Sequence, residues 1–182
     1  MLIAVDIEIP FPPGLVYRFY RDQLEKQVEY MDIVDRVEVK SRRQEKGEVY
    51  CVNEWYSNAQ MPAPVRAVLG EKLFSWTDSA IWKKSDLSVR WQIQTHAFTA
   101  AVACAGENCF RGEGNKTVVE HRGELKIDPE KLWSIPGLLR SQIASLSEKF
   151  LVQQIEGSLK QMGAGVRQSL EKTVTKEAWF NN

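Results

Sequence analysis

Both histidines of this chain and two of its three cysteines lie in one stretch, "HAFTAAVACAGENCFRGEGNKTVVEH", residues 96 to 121. His96, Cys104, Cys109 and His121 raise the question of zinc. Near the end of the stretch, Gly112, Glu113, Gly114, Asn115, Lys116 and Thr117 raise the question of a phosphate loop. Zinc needs three or four ligands converging at ~2.0–2.3 Å. In an unbroken strand, residues an odd number apart face opposite ways. Cys104 and Cys109 therefore diverge unless Ala105 to Asn108 form a turn. His96 shares a face with Ser88, Arg90, Gln92 and Gln94, whereas His121 shares one with Thr117, Val119, Gly123, Leu125 and Ile127. No CxxC or HxxxH spacing assists, so no metal site is expected. A nucleotide loop needs glycine directly before its lysine, and Asn115 holds that place. Gly112 to Asn115 have instead the composition of a hairpin turn. The chemical remainder is His121, expected to face inward as a core histidine or as the polar group of a ligand pocket.

The elements that must place His121 can be read from hydrophobic period. Ile3, Val5, Ile7 and Ile9 alternate with polar neighbours, which predicts a strand over 1–9. Pro10, Pro12, Pro13 and Gly14 end it. Val16, Phe19, Tyr20, Leu24, Val28 and Met31 recur at three and four, predicting a helix over 14–31. Strands are expected over 33–60, with a turn at Lys46 and Gly47, and again over 83–128. The stretch 61–82 is bulky and apolar, with Pro64 and Gly70 placed to open and close a short helix. It reads either as ordinary helix and strand on the core or as a lid or membrane-touching element carrying Val65, Val68, Leu69, Phe74 and Trp76. From 136 to 172 an apolar stripe from Leu139 to Leu170 predicts one long helix, with Gly157 or Gly163 to Gly165 as the expected weak point.

Composition narrows the function. The chain has 182 residues, which suits a single domain, 1–182. It carries 24 basic and 24 acidic side chains and a formal net charge of zero. A generally basic nucleic-acid binder is disfavoured by that balance, and no nucleic-acid partner is expected. No apolar run approaches the ~20 residues of a bilayer span. Three cysteines cannot pair completely, and the N-terminus lacks a basic leader, so a reduced, cytoplasmic setting is the expectation.

The stretch "IEIPFPPGLVYRFYRD", a strand closed by proline followed by a helix with Val16, Tyr17 and Phe19, resembles the opening of the START-like (SRPBCC, Bet v 1-like) superfamily. The layout of most of the chain resembles it too: strand, helix, several strands, long helix. The stretch "NEWYSNAQMPAPVRAVLGEKLFSWTDSAIW" is similar, more loosely, to the middle of PRELI/MSF1-type lipid-transfer domains. The resemblance implies an α+β helix-grip fold, a curved antiparallel sheet wrapped around the C-terminal helix with a cavity between them. It also implies an apolar small molecule, possibly a lipid, as partner. No cofactor is expected. Residues expected to line the cavity are Asn53, Trp55, Trp91, Thr95, Phe110, His121, Phe150 and Met162. Tyr50 and Asn53 are opposite in strand phase, so at most one of them lines it. A cyclase/dehydratase-like enzyme is the first alternative, with His121 as acid or base and Glu54 as a poorer candidate. A protein-interaction module docking through exposed Trp76 and Trp82 is the second.

Overall fold

The computed structural model describes residues 1–58 and 75–180, with side chains as far as residue 173. Seven strands form one antiparallel sheet: β1 Leu2–Ile9, β2 Val34–Glu45, β3 Glu48–Ser57, β4 Ser75–Lys83, β5 Ser88–Thr95, β6 Val102–Glu113 and β7 Lys116–Ile127. Their order across the sheet is β1-β7-β6-β5-β4-β3-β2. Every neighbour except the β1–β7 pair is consecutive in sequence, and the short β2–β3, β4–β5 and β6–β7 connections are those of hairpins. The β2–β3 turn uses Lys46 and Gly47, both at positive φ (49° and 84°), where the residue pattern of a tight hairpin belongs. The β6–β7 turn falls at Gly114 and Asn115, as the Gly/Asn composition predicts.

The predicted helix 14–31 is two helices. The first, α1, spans Pro13–Asp22, and the second, α2, spans Leu24–Val28. Proline at the first helical position of α1 sacrifices an N–H that had no partner. The break is at Gln23 (φ −124°, ψ 40°). Buried Gln27 accounts for it, since its Nε2 donates to the carbonyls of Phe19 (3.0 Å) and Tyr20 (3.1 Å). Those carbonyls are in the last turn of α1, where acceptors run short of partners; that of Phe19 also accepts from the Gln23 backbone N–H at 3.0 Å. Hydrophobic period alone runs through such a side-chain cap.

The C-terminal helix, α3, spans Gly137–Phe180 and follows a 3-10 turn at Pro129–Lys131. It extends eight residues past the expected end at 172. It is unbroken at its glycines, and two of these serve close packing. A Cβ on Gly163 would lie 2.5 Å from Ile7 Cγ2, and one on Gly165 would lie 2.5 Å from the Tyr30 ring. The helix lies along β1 and β7 and reaches α1 and α2.

One core forms where β1, β6 and β7 meet the N-terminal half of α3, around Ile3, Leu125, Ile127 and Ile143. A second forms around Val16, Tyr17, Tyr20, Trp82, Phe110 and Val119. Trp91 packs against both. Val65, Val68, Leu69 and Phe74 of the expected lid, with the helix that Pro64 would open, lie outside the described residues. The remainder, 75–82, is not a connection but strand β4, paired with β3 and β5. Trp76 is half-buried and stacked on Trp55, and Trp82 is buried. Neither presents the exposed ring that a docking module required.

Candidate functional site

Register decides which side chains share the concave face. His121 pairs with Asn108 and Val5, Gly106 pairs with Gly123 and Trp91, Ala80 with Trp91, and Asn53 with Asp78. This face therefore holds Trp55, Trp76, Trp91, Thr95, Asn53, Asp78, Asn108, His121, Cys51 and Cys104. The convex face holds Tyr50, Glu54, His96 and Cys109. Two ligand sets that the 96–121 stretch suggested are thus divided across the sheet. Cys104 and Cys109 stand in one regular strand facing opposite ways. His96 lies on the outside, with Nδ1 2.8 Å from Ser75 Oγ and Nε2 2.9 Å from Thr77 Oγ1. Among the described residues no group of three or more metal-ligating side chains converges.

The strand phase left open at 48–56 resolves toward Asn53. Tyr50 points outward, donating to Glu48 Oε2 at 2.6 Å beneath the Arg43 guanidinium. Glu54 is also outside, held by Lys40 at 2.7 Å, whose proximity lowers its carboxyl pKa. Asn53 is buried, and its Nδ2 donates to Asp78 Oδ2 at 3.2 Å. Trp91 crosses a trough made by glycines of two strands. A Cβ on Gly106 would lie 2.4 Å from the indole, and one on Gly123 would lie 2.7 Å from it. The indole N–H donates to Asn108 Oδ1 at 3.0 Å, so the ring is held flat and in one orientation.

The other expected lining residues divide into two kinds. Phe110 is part of a packed aromatic cluster, edge-on to Tyr17 at 5.4 Å and to Tyr20 at 5.3 Å. Phe150 packs with the first core, and Met162 bridges the second core to the Trp55 cluster. Trp55, Trp76, Trp91, Ile93, Thr95 and Asp78 face the grip. Of these, all but Trp55 keep part of their surface accessible.

Polar atoms on this face lack protein partners. His121 is 0 % exposed, with neither ring nitrogen bonded. Thr95 Oγ1 and Tyr20 Oη are likewise buried and unpaired, and Trp55 Nε1, also buried, falls short of hydrogen-bond geometry but approaches the Asp78 carboxyl. Leaving such a group unpaired costs about 1–3 kcal/mol. Burial, with the nearby Arg122 charge, pushes the His121 pKa down to about 4, so the ring is neutral at pH 7. Burial pushes Asp78 the other way, up to about 6, partly offset by Asn53 and Trp55. Sequence reading missed Asp78 because it lies inside a run of aromatic and small residues taken as a connection. Its alternation with Trp76, Ala80 and Trp82 was the available signal.

A cavity of about 250 Å³ lies between the α1–α2 junction and strands β2 to β4. Cys51, Asn53, Asp78 and Trp82 line it from the sheet. Tyr20, Gln23 and Leu24 line it from the helices. Arg21 and Arg42, also lining it, are both tied to Asp22.

No family model matches the sequence, and no curated protein is similar to it. Solved structures do match. A protein from Thermus thermophilus superposes with a TM-score of 0.63 at 23 % identity, covering 93 % of this chain and 99 % of that one. The Zhui aromatase/cyclase from a Streptomyces species gives 0.64 at 13 % identity, over 93 % and 95 %. Norcoclaurine synthase from Thalictrum flavum, a point mutant with a transition-state analogue, gives 0.52 at 12 % identity, over 84 % and 94 %. The chain has the helix-grip fold of these Bet v 1-like structures.

Proposed function

We propose that this protein binds an apolar small molecule between the concave face of the sheet and α3. The observation that carries the reading is the character of that face. Half-accessible aromatic side chains, Trp76 and Trp91, are held rigidly beside polar atoms that no protein group satisfies. Apolar area supplies affinity at ~25 cal/mol per Å², and a few polar groups orient the ligand. The likeness to an aromatase/cyclase and to norcoclaurine synthase supports a ligand-binding use of the fold. A lipid fits the same description. Contact with a membrane surface during its uptake would fall to the apolar side chains exposed ahead of and within the first turns of α3, Trp133 and Leu138.

Catalysis of the cyclase/dehydratase kind is the second reading, and Asp78 favours it more than His121 does. A carboxyl that titrates at about 6 can give or take a proton near neutral pH, while a sealed, neutral imidazole cannot donate readily. One experiment separates the two readings. The purified protein is examined by native mass spectrometry, any bound compound is extracted, and it is returned to fresh protein. A stoichiometric apolar compound recovered unchanged supports a carrier. Recovery with loss of water supports the enzyme. A protein that stays free of ligand after incubation with a mixed lipid and metabolite extract sinks both.

A further inference from the structure

We infer that the ion bridge between Asp22 and Arg42 is a latch over a side opening of the grip, and that parting it sets the rate at which an apolar molecule passes in and out from solution. The inference rests on the reading above, since the concave face must take such a molecule for a latch to matter. It goes further in assigning an opening and the residues that hold it shut.

The opening is the cavity of about 250 Å³ between the α1–α2 junction and the sheet. Its inner wall is the concave face itself, through buried Cys51, Asn53 and Trp82. Its outer border on the sheet side is β2, an edge strand paired with β3 alone. That strand is bent in a way that aims Arg42 across the opening. Val39 pairs with Asn53, but the next pair is Ser41 with Val52, and Arg42 then pairs with Cys51. Without the extra residue at Lys40, Arg42 would stand opposite Tyr50, on the convex face. The bulge turns it to the concave side, as bulges re-aim side chains. Bulges also protect edge strands from stray pairing, but protection does not call for a carboxylate waiting opposite Arg42. An exposed ion pair adds little to stability, so stability is a poor reason to bend the strand for it.

The two halves of the bridge differ in freedom. Asp22 ends α1 and is gripped by Arg21, whose Nε and Nη2 donate to its two carboxylate oxygens at 2.8 Å each. The Arg21 guanidinium stands over the ring of buried Tyr17 at 5.5 Å, so this half is fixed to the core. Arg42 reaches Asp22 Oδ1 from the other side of the opening, at 2.5 Å. Its side chain is 43 % exposed, against 17 % for Arg21. Arg42 is therefore the half that can swing out to solvent, and its departure requires no helix to move. The rim that remains includes apolar Leu24 and Val39. Glu25 and Lys26 line the cavity from α2 and are exposed. Among the described residues, no ion pair other than Asp22–Arg42 joins either helix to β2.

The test uses the full chain and Nile red, a neutral apolar dye whose approach is not steered by charge, in stopped-flow fluorescence without vesicles. Asp22→Asn and Arg42→Gln should each raise the association and dissociation rates together, by about two- to fivefold, the range an exposed ion pair commands. Kd should stay within about twofold of the parent. Raising salt from about 0.05 to about 0.5 M should speed exchange in the parent and not in these variants, because screening weakens the pair. Arg43→Gln removes the same charge from the convex face, where Arg43 lies over the Tyr50 ring at 4.6 Å, and should leave both rates alone. Near-ultraviolet circular dichroism of each variant confirms its packing. Unchanged rates in both bridge variants, a change in Kd without a common change in the two rates, or equal acceleration by Arg43→Gln would overturn the latch and leave the apolar-ligand reading standing. A parent that binds no Nile red defeats that reading, and the latch with it.

Discussion

At the residue scale, part-buried Asp78 and fully buried His121, on one face, titrate in opposite senses. The folded state holds the Asp78 proton to about pH 6, whereas an unperturbed aspartate releases it near 3.8. Stability from this group is full below pH 4 and is lost as pH rises through 6. His121 takes its proton only at about pH 4 in the fold, against an ordinary 6.5. Its contribution is full above 6.5 and is lost as pH falls through 4. Each shift of two units or more is worth about 3 kcal/mol, so between pH 4 and 6 the two nearly cancel. Asp78→Asn should therefore be more stable than the parent at pH 7 by about 3 kcal/mol at most, with the advantage fading toward pH 4. His121→Leu should gain on the parent as pH falls from 6.5 to 4. Urea midpoints across that range, taken as variant minus parent, remove the common slope of the surface carboxylates. Parallel profiles for both variants and the parent would show that neither group titrates as its burial requires. Asp78 is also where sequence reading was blind. A carboxylate facing a core violates the expected pattern, so it was absorbed into a connection, whereas the inward aim of His121 was plain from its apolar alternation.

At the element scale, glycine separates what periodicity can show from what packing decides. The three glycine positions of α3 flagged as a weak point differ in kind. Nothing lies within 4 Å of a Cβ placed on Gly157, while one on Gly163 would meet Ile7 at 2.5 Å and Tyr20 Oη at 3.4 Å. Gly157→Ala should raise stability by about 0.5–1 kcal/mol through helix propensity alone. Gly163→Ala should lower it despite the same propensity gain, by about 1–3 kcal/mol as overpacking does. Gly106→Ala should be worse still, because its Cβ would meet the carbonyl oxygen of Arg122 at 2.3 Å, and backbone cannot step aside. Equilibrium urea unfolding ranks all three, and a destabilised Gly157→Ala would contradict the open space around it. The strands, the turn at Gly47, the hairpin at Gly114 and the long helix were all legible because each rests on local pattern. The break at Gln23 and the glycine trough under Trp91 were not, because each depends on a partner distant along the chain or across the sheet.

At the scale of the whole molecule, the proposed binding of an apolar molecule calls for a route to the grip. Among the described residues, no helix is long and apolar enough to cross a membrane. One end of the fold nonetheless exposes large apolar side chains together. Trp133 is 72 % exposed and Leu138 is 99 % exposed, with Leu139 and Leu146 also exposed on α3. From 131 to 147 the charged residues are Lys131 and Arg140, both basic. Exposed apolar groups that cluster mark a contact surface, and an aromatic with leucines and flanking basic residues suits the headgroup boundary. Arg140 also donates to the carbonyl of Ile135 at 2.8 Å, which ties the connection carrying Trp133 to the helix carrying Leu138. Burying either side chain in lipid is worth about 2 kcal/mol. Trp133→Ser and Leu138→Ser should each reduce partitioning onto phosphatidylcholine vesicles by about ten- to thirtyfold, and phosphatidylserine should strengthen binding of the parent. Nile red binding in solution should be untouched by either change, since neither residue faces the grip. Co-sedimentation with vesicles measures the first effect and fluorescence titration the second. Equal sedimentation of parent and variants would remove this end from any route of loading and leave the cargo to enter from free solution.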